Sequence, residues 1–157
     1  MATHNSNKMK TLIKPAAVSR LGLKAKDILH PFDLRDASKV GTHVVDTVTE
    51  ILNFAGTGMK AEILACKEVF PHTDDCWSGY VFACLALQAR HDYMECVSKS
   101  QHSRTFIQEG SVFSVDPKNI HWLEPALPDS GLAIIASISV PRRNKKKLKE
   151  VLEKLIG

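Results

Sequence analysis

His72-Thr73-Asp74, with His121 further along, is the set of residues in this sequence best equipped for chemistry. On an extended segment a residue and the next but one point to the same face, so His72 and Asp74 share a side. A second histidine returning from a later segment closes a three-donor face. Two imidazoles and one carboxylate, with coordination positions left over, form the donor set that holds non-haem Fe(II). The same donors suit Mn, Ni or Zn, so affinity alone does not select iron. Asp75 is a second candidate for the carboxylate if the strand ends early. The plainer alternative is a capping aspartate and two surface histidines beside proline turns. Cys76, Trp77 and Trp122 adjoin the motif in sequence and are read as packing. His4, His30, His43, His91 and His102 show no mutual ligand spacing and are read as ordinary surface or loop residues.

Such a face needs strands to hold it, and the text around it supplies them. Residues 61–70 are mostly apolar and end at Pro71, just before the motif. Residues 80–87, YVFACLAL, form a nearly continuous apolar run, as expected of a strand buried on both faces. Shorter strands are expected at 93–97, 105–107 and 111–115, with Gly110 between the last two and an Asp116-Pro117 turn after them. Residues 131–140, GLAIIASISV, make a last strand stopped by Pro141. Short strands at this spacing argue for an antiparallel barrel or a jelly roll.

Two helices are expected at the flanks. Val40, Val44, Val45, Val48, Ile51, Leu52 and Ala55 follow helical spacing over residues 36–55, with Gly56 as a stop. Leu148, Val151, Leu152, Leu155 and Ile156 make one apolar stripe over residues 144–156, with Asn144 as the cap. Three lysines in the first turn of that helix oppose its dipole, which prefers anions there.

Length and composition bound the rest. A chain of 157 residues, 44% apolar and 24% charged, is an ordinary single globular domain, expected over residues 15–157 behind a flexible tail at 1–14. No apolar run is long enough to span a bilayer and the N-terminus shows no apolar leader. Cys66, Cys76, Cys84 and Cys96 form no Cys-x-x-Cys pair and read as reduced thiols of a cytoplasmic protein. The net charge of +4 is modest, and much of the excess sits in Arg142, Arg143, Lys145, Lys146 and Lys147.

Taken in order, Pro71-His72-Thr73-Asp74, the runs 80–87 and 93–97, the Gly110–Pro117 stretch, His121 and the run 131–140 resemble the double-stranded β-helix of the Fe(II)/2-oxoglutarate-dependent dioxygenase superfamily, a cupin-like barrel. The resemblance implies a mainly β fold with flanking helices: a support helix at 36–55, a jelly roll barrel at 59–141 and a C-terminal amphipathic helix. It further implies Fe(II) held by His72, Asp74 and His121, with 2-oxoglutarate as cosubstrate. The sequence departs from the family in one respect. The family places an arginine or lysine at the start of the last strand to pair the distal carboxylate of 2-oxoglutarate, and residues 128–134 hold no cation. Arg104 is the first candidate to replace it and Arg90 the second, with Tyr80 and Tyr93 as hydrogen-bonding partners.

Three classes of function follow. The first is an oxygenase acting on an unidentified substrate. The second is a non-catalytic cupin-like binding module, metal-bound or empty, since a fold does not dictate an activity. The third is nucleic-acid binding through the basic run at 142–147. The C-terminal helix is expected either to cover the barrel or to pair with a neighbouring chain.

Overall fold

In the computed structural model, Arg20, a strand at His43–Val48 and residues 61–157 are described. The tail at 1–14 and most of the helix expected at 36–55 lie outside them. Within that helix the structure brings a correction: His43–Val48 is a strand, β1, paired antiparallel with β2 (Ala61–Cys66). The reason is periodic. Valines spaced by four satisfy a strand's repeat of two as well as a helix's, and valine and threonine favour the strand.

The expected strand at 61–70 is two strands. β2 ends at Cys66, the chain turns through Lys67 and Glu68, and β3 (Val69–His72) starts in the other sheet. His91, expected at the surface, is fully buried beneath this corner. Its Nδ1 accepts from the Arg90 backbone N–H at 3.1 Å, so Nε2 carries the proton and donates to the Lys67 carbonyl at 2.9 Å.

The remaining strands are β4 (Tyr80–Gln88), β5 (Arg90–Cys96), β6 (His102–Gln108), β7 (Val112–Val115), β8 (His121–Pro125) and β9 (Ala133–Pro141). They form two antiparallel sheets, ordered β1-β2-β9-β4-β7 and β3-β8-β5-β6. Between β6 and β7 the chain turns at Gly110, whose φ of 86° suits glycine. The inner faces meet in a core that includes Cys84, Ala86, Tyr93, Ile107, Leu123 and Ile135.

The helix α1 (Lys145–Ile156) covers the outer face of the larger sheet, against β4, β7 and β9. Its cap is as expected, with the Asn144 side chain accepting from the Lys147 N–H at 3.0 Å. Val151 and Leu155 are the buried members of its apolar stripe. This cover explains the unbroken apolar text of β4 and β9: one face of each looks into the barrel, the other onto α1. Lys145 and Lys146 point to solvent.

Candidate metal centre

The centre begins with a cross-strand pair. β3 and β8 run antiparallel with His72 directly opposite His121, and the two imidazole centroids lie 4.4 Å apart. Asp74 follows two residues beyond His72, where the strand gives way to a short 3-10 turn at Asp75–Trp77. Its backbone N–H donates to the Pro117 carbonyl at 3.0 Å, which ties this turn to the loop leading into β8. The Asp74 carboxylate reaches both rings, 3.4 Å from His72 Nε2 and 3.0 Å from His121 Nε2. One donor atom from each residue fits within 4.8 Å of the others. Ligands at right angles around one ion, with bonds of ~2.1 Å, sit about 3 Å apart, so small side-chain rotations would close the set.

Both rings are oriented for this by their own backbone. His72 Nδ1 lies 2.7 Å from the Phe70 carbonyl and His121 Nδ1 lies 2.8 Å from the Asn119 carbonyl. A carbonyl only accepts, so Nδ1 carries the proton in each ring and the Nε2 lone pair faces the shared centre. Metal-binding histidines are held in this way, by a hydrogen bond from the nitrogen that does not bind the metal. Asp75, the other candidate carboxylate, accepts from the Thr73 hydroxyl at 3.0 Å and stays outside the group.

Around the loop before β8 lies a network that the sequence did not announce. Glu95, opposite His121 on β5, accepts from the Tyr93 hydroxyl, from the Asp116 backbone N–H at 3.2 Å and from Asn119 Nδ2 at 3.0 Å. Asn119 is the residue whose carbonyl orients His121. Arg142 holds the same loop from the other side through Asp116, and its hydrogen bonds keep that carboxyl below its ordinary pKa. The legible signal was limited to the turn-forming text Asp116-Pro117-Lys118-Asn119. Arg142 is therefore tied into the loop that leads to His121.

The three residues stand at the mouth of a cavity of about 230 Å³ between the sheets. Leu64, Val69, Phe82, Phe113, Leu123 and Ile135 make its apolar walls; Glu62, Ser137 and Ser139 are its polar groups on the larger sheet. Cys66 and Cys84 also line it, their thiols pushed up to about 12 by burial.

The residues expected to bind a cosubstrate are mostly elsewhere. Arg104 is exposed on β6 and pairs with Asp92 at 3.2 Å and Glu124 at 3.7 Å. It stands one position out of phase with the inward Ile107, three residues on. Arg90 is exposed, out of phase with the buried His91 and Tyr93. Tyr80 sits half-exposed beyond the mouth, its ring edge-on to Trp77. Of the four, only Tyr93 lines the cavity. Its hydroxyl is committed to Glu95, and burial followed by that carboxylate raises its pKa well above the ordinary range.

No family model matches the sequence, and neither does any curated protein. Among solved structures, the chain is similar to the CENP-C cupin domain of Drosophila melanogaster, at 9% identity and a TM-score of 0.42, over 53% of this chain and 70% of that one. It is similar to an oxalate oxidase at 10% identity and a TM-score of 0.48, over 64% of this chain and 51% of that one. Vicilin from hazelnut, Corylus avellana, gives 10% identity and a TM-score of 0.46, over 66% of this chain and 30% of that one. The chain thus spans about half the length of the oxalate oxidase and less of the vicilin.

The barrel is a double-stranded β-helix of the cupin type. Its two facing antiparallel sheets and their strand order state this independently of those likenesses. Among the described residues no helix is long and apolar enough to cross a membrane.

Proposed function

We propose that this protein binds one divalent transition-metal ion through His72, Asp74 and His121 and uses it for oxidoreductase chemistry on a small molecule held in the adjoining cavity. The observation that carries this is the orientation of the imidazoles. Each ring donates an Nδ1–H hydrogen bond to a carbonyl two residues back, leaving both Nε2 atoms and Asp74 directed at one point. When bound, the metal would supply redox and Lewis-acid chemistry that side chains lack. The chain supplies three ligands from one side, an apolar cavity that limits water, and a loop fixed by Glu95 and Arg142.

Iron is the metal this donor set favours for oxygenase chemistry, and a non-haem oxygenase is the activity proposed. Dependence on 2-oxoglutarate has less support. A dicarboxylate entering an apolar barrel needs a cation for its distal group, because an unpaired buried carboxylate is costly. Among the described residues, the cavity is lined by no arginine or lysine, and Arg104 and Arg90 stand outside. A cosubstrate without a second carboxylate fits these walls better.

The second reading is a binding module without turnover. It draws on the contact of Asp74 with both imidazoles, which an ion pair with one protonated ring would satisfy without any metal. Anaerobic Fe(II) titration followed by oxygen-uptake measurement separates the two. One ion bound per wild-type chain and none per Asp74→Ala chain establishes the centre, and metal-dependent oxygen uptake in the presence of substrate establishes the reaction. Equal metal content in both proteins removes the centre.

A further inference from the structure

We infer that the cavity is selective for a small molecule bearing a positive charge, with Glu62 as the group that recognises it. This rests on the cavity being a ligand site, as proposed above, and adds the charge of its occupant. Glu62, Leu64 and Cys66 alternate along β2 and all three line the cavity, so the carboxylate belongs to an inward-facing row in an otherwise apolar barrel. No hydrogen bond or ion pair joins the Glu62 carboxylate to another described residue. A partly buried carboxylate is normally paired, and one left without a partner inside a cavity is a group awaiting one.

Several groups near Glu62 suit the same kind of occupant. Across the sheet it stands opposite Ser137, which in turn stands opposite Cys84, with Phe113 next in that row. Cys84 Sγ donates to Ser137 Oγ at 3.8 Å, and the Tyr93 hydroxyl donates to Glu95, so two of the lining donors are spent on acceptors of the protein. Neither of those two is left for an anion entering here. A cation meets a carboxylate, hydroxyl oxygens and the aromatic rings of Trp77, Phe82, Phe113 and Tyr93, all lining the same space. Aromatic faces carry negative potential and hold ammonium groups best when water is excluded. Among the described residues, the only other carboxylate lining the cavity is that of Asp74, whose charge a bound metal would take up.

The probe is choline, compared with its uncharged isostere 3,3-dimethylbutan-1-ol and with the dianion glutarate. The chain has two tryptophans, and the indole of Trp122 packs on His102 at 5.7 Å. Both tryptophans line the cavity, so a Trp122→Phe background leaves Trp77 as a single fluorescent reporter at its wall. Choline should bind about tenfold more tightly than the alcohol, the equivalent of one charge-assisted contact, and glutarate should bind least. Glu62→Gln should abolish that preference while leaving the affinity for the alcohol unchanged, and Glu62→Asp should keep part of it. Choline and the alcohol binding alike, glutarate binding best, no saturable change with choline, or a preference surviving in Glu62→Gln would each overturn the inference. The titration is run on Zn(II)-loaded and on chelator-treated protein. Failure to take up metal with choline's preference intact defeats the metal centre alone. Absence of the preference in both forms of a protein that does take up metal defeats the cation site alone.

Discussion

Arg142 grips Asp116 with two guanidinium nitrogens, at 2.6 and 3.0 Å. The same side chain donates to the Ser78 carbonyl at 2.9 Å and the Tyr80 carbonyl at 3.2 Å, while its backbone N–H donates to Gly79 at 2.8 Å. One residue at the end of β9 thus joins the segment just after Asp74 to the segment just before His121. Those segments also meet directly, through the Asp74 N–H and the Pro117 carbonyl. The pair is about a third exposed, so its worth to global stability is small, about 0–1 kcal/mol. Its larger effect is on where the ligands stand.

Arg142→Ala is therefore expected to weaken metal binding by about 10–100-fold, the usual cost of losing a group that supports a ligand. Arg142→Lys should recover only part, since an ammonium lacks the planar fork that spans Asp116 and two carbonyls. Calorimetric metal titration beside thermal melts is the check. A lower melting temperature with unchanged metal affinity would show that the pair serves the fold only.

His91 predicts a pH dependence. Burial, the largest influence, lowers its pKa despite the Lys67 carbonyl and nearby Asp92, which act the other way. The folded protein therefore resists a proton that the unfolded chain accepts below ~6.5. Since the unfolded state binds more protons there, stability falls as pH drops below that value and levels off above it. The slope contributed by one such group is at most about 1.4 kcal/mol per pH unit. Urea unfolding at several pH values should show a shallower acid slope in His91→Gln than in the wild type; parallel slopes would place the titrating group elsewhere.

The outer face of the larger sheet depends on α1. Leu155→Ala should cost about 2–5 kcal/mol, as for other large buried side chains cut to alanine. Asn144→Ala should cost about 1 kcal/mol, the loss of one helix cap. Denaturant midpoints measure both. A Leu155→Ala protein as stable as the wild type would mean that α1 is an appendage.

Thiol labelling gives a check on burial. Cys66 and Cys84, with pKa values of about 12, should resist iodoacetamide at pH 8, whereas the exposed Cys76 should react. Intact-protein mass spectrometry counts the adducts. Early modification of Cys84 would show that the barrel opens readily.

What was legible in the sequence was whatever repeated or ran on. The unbroken apolar text of β4 and β9 announces strands covered on both faces, and the stripe from Leu148 to Ile156 announces α1. His72, Asp74 and His121 were readable as a donor set because the strands around them fall in order. Phase was harder. Arg90 stands one step from the buried His91 and Arg104 three from the buried Ile107, and an odd offset on a strand exchanges cavity for solvent. Residues 43–48 misled because spacings of four fit both periods. The Arg142–Asp116 pair and the burial of His91 were hidden for a different reason, since each joins segments far apart in the chain and leaves no local trace.

The pairing of His72 with His121 has a consequence for the order in which the molecule is made. β3 and β8 are neighbours in space, yet β4, β5, β6 and β7 all lie between them in sequence. Closing so large a loop is slow, and contacts of this kind form late. The two imidazoles cannot meet in a half-finished chain, whose early strands would offer an ion only His72 and Asp74. Capture by all three ligands would therefore act as a receipt for a completed barrel, holding most firmly those molecules that have already folded.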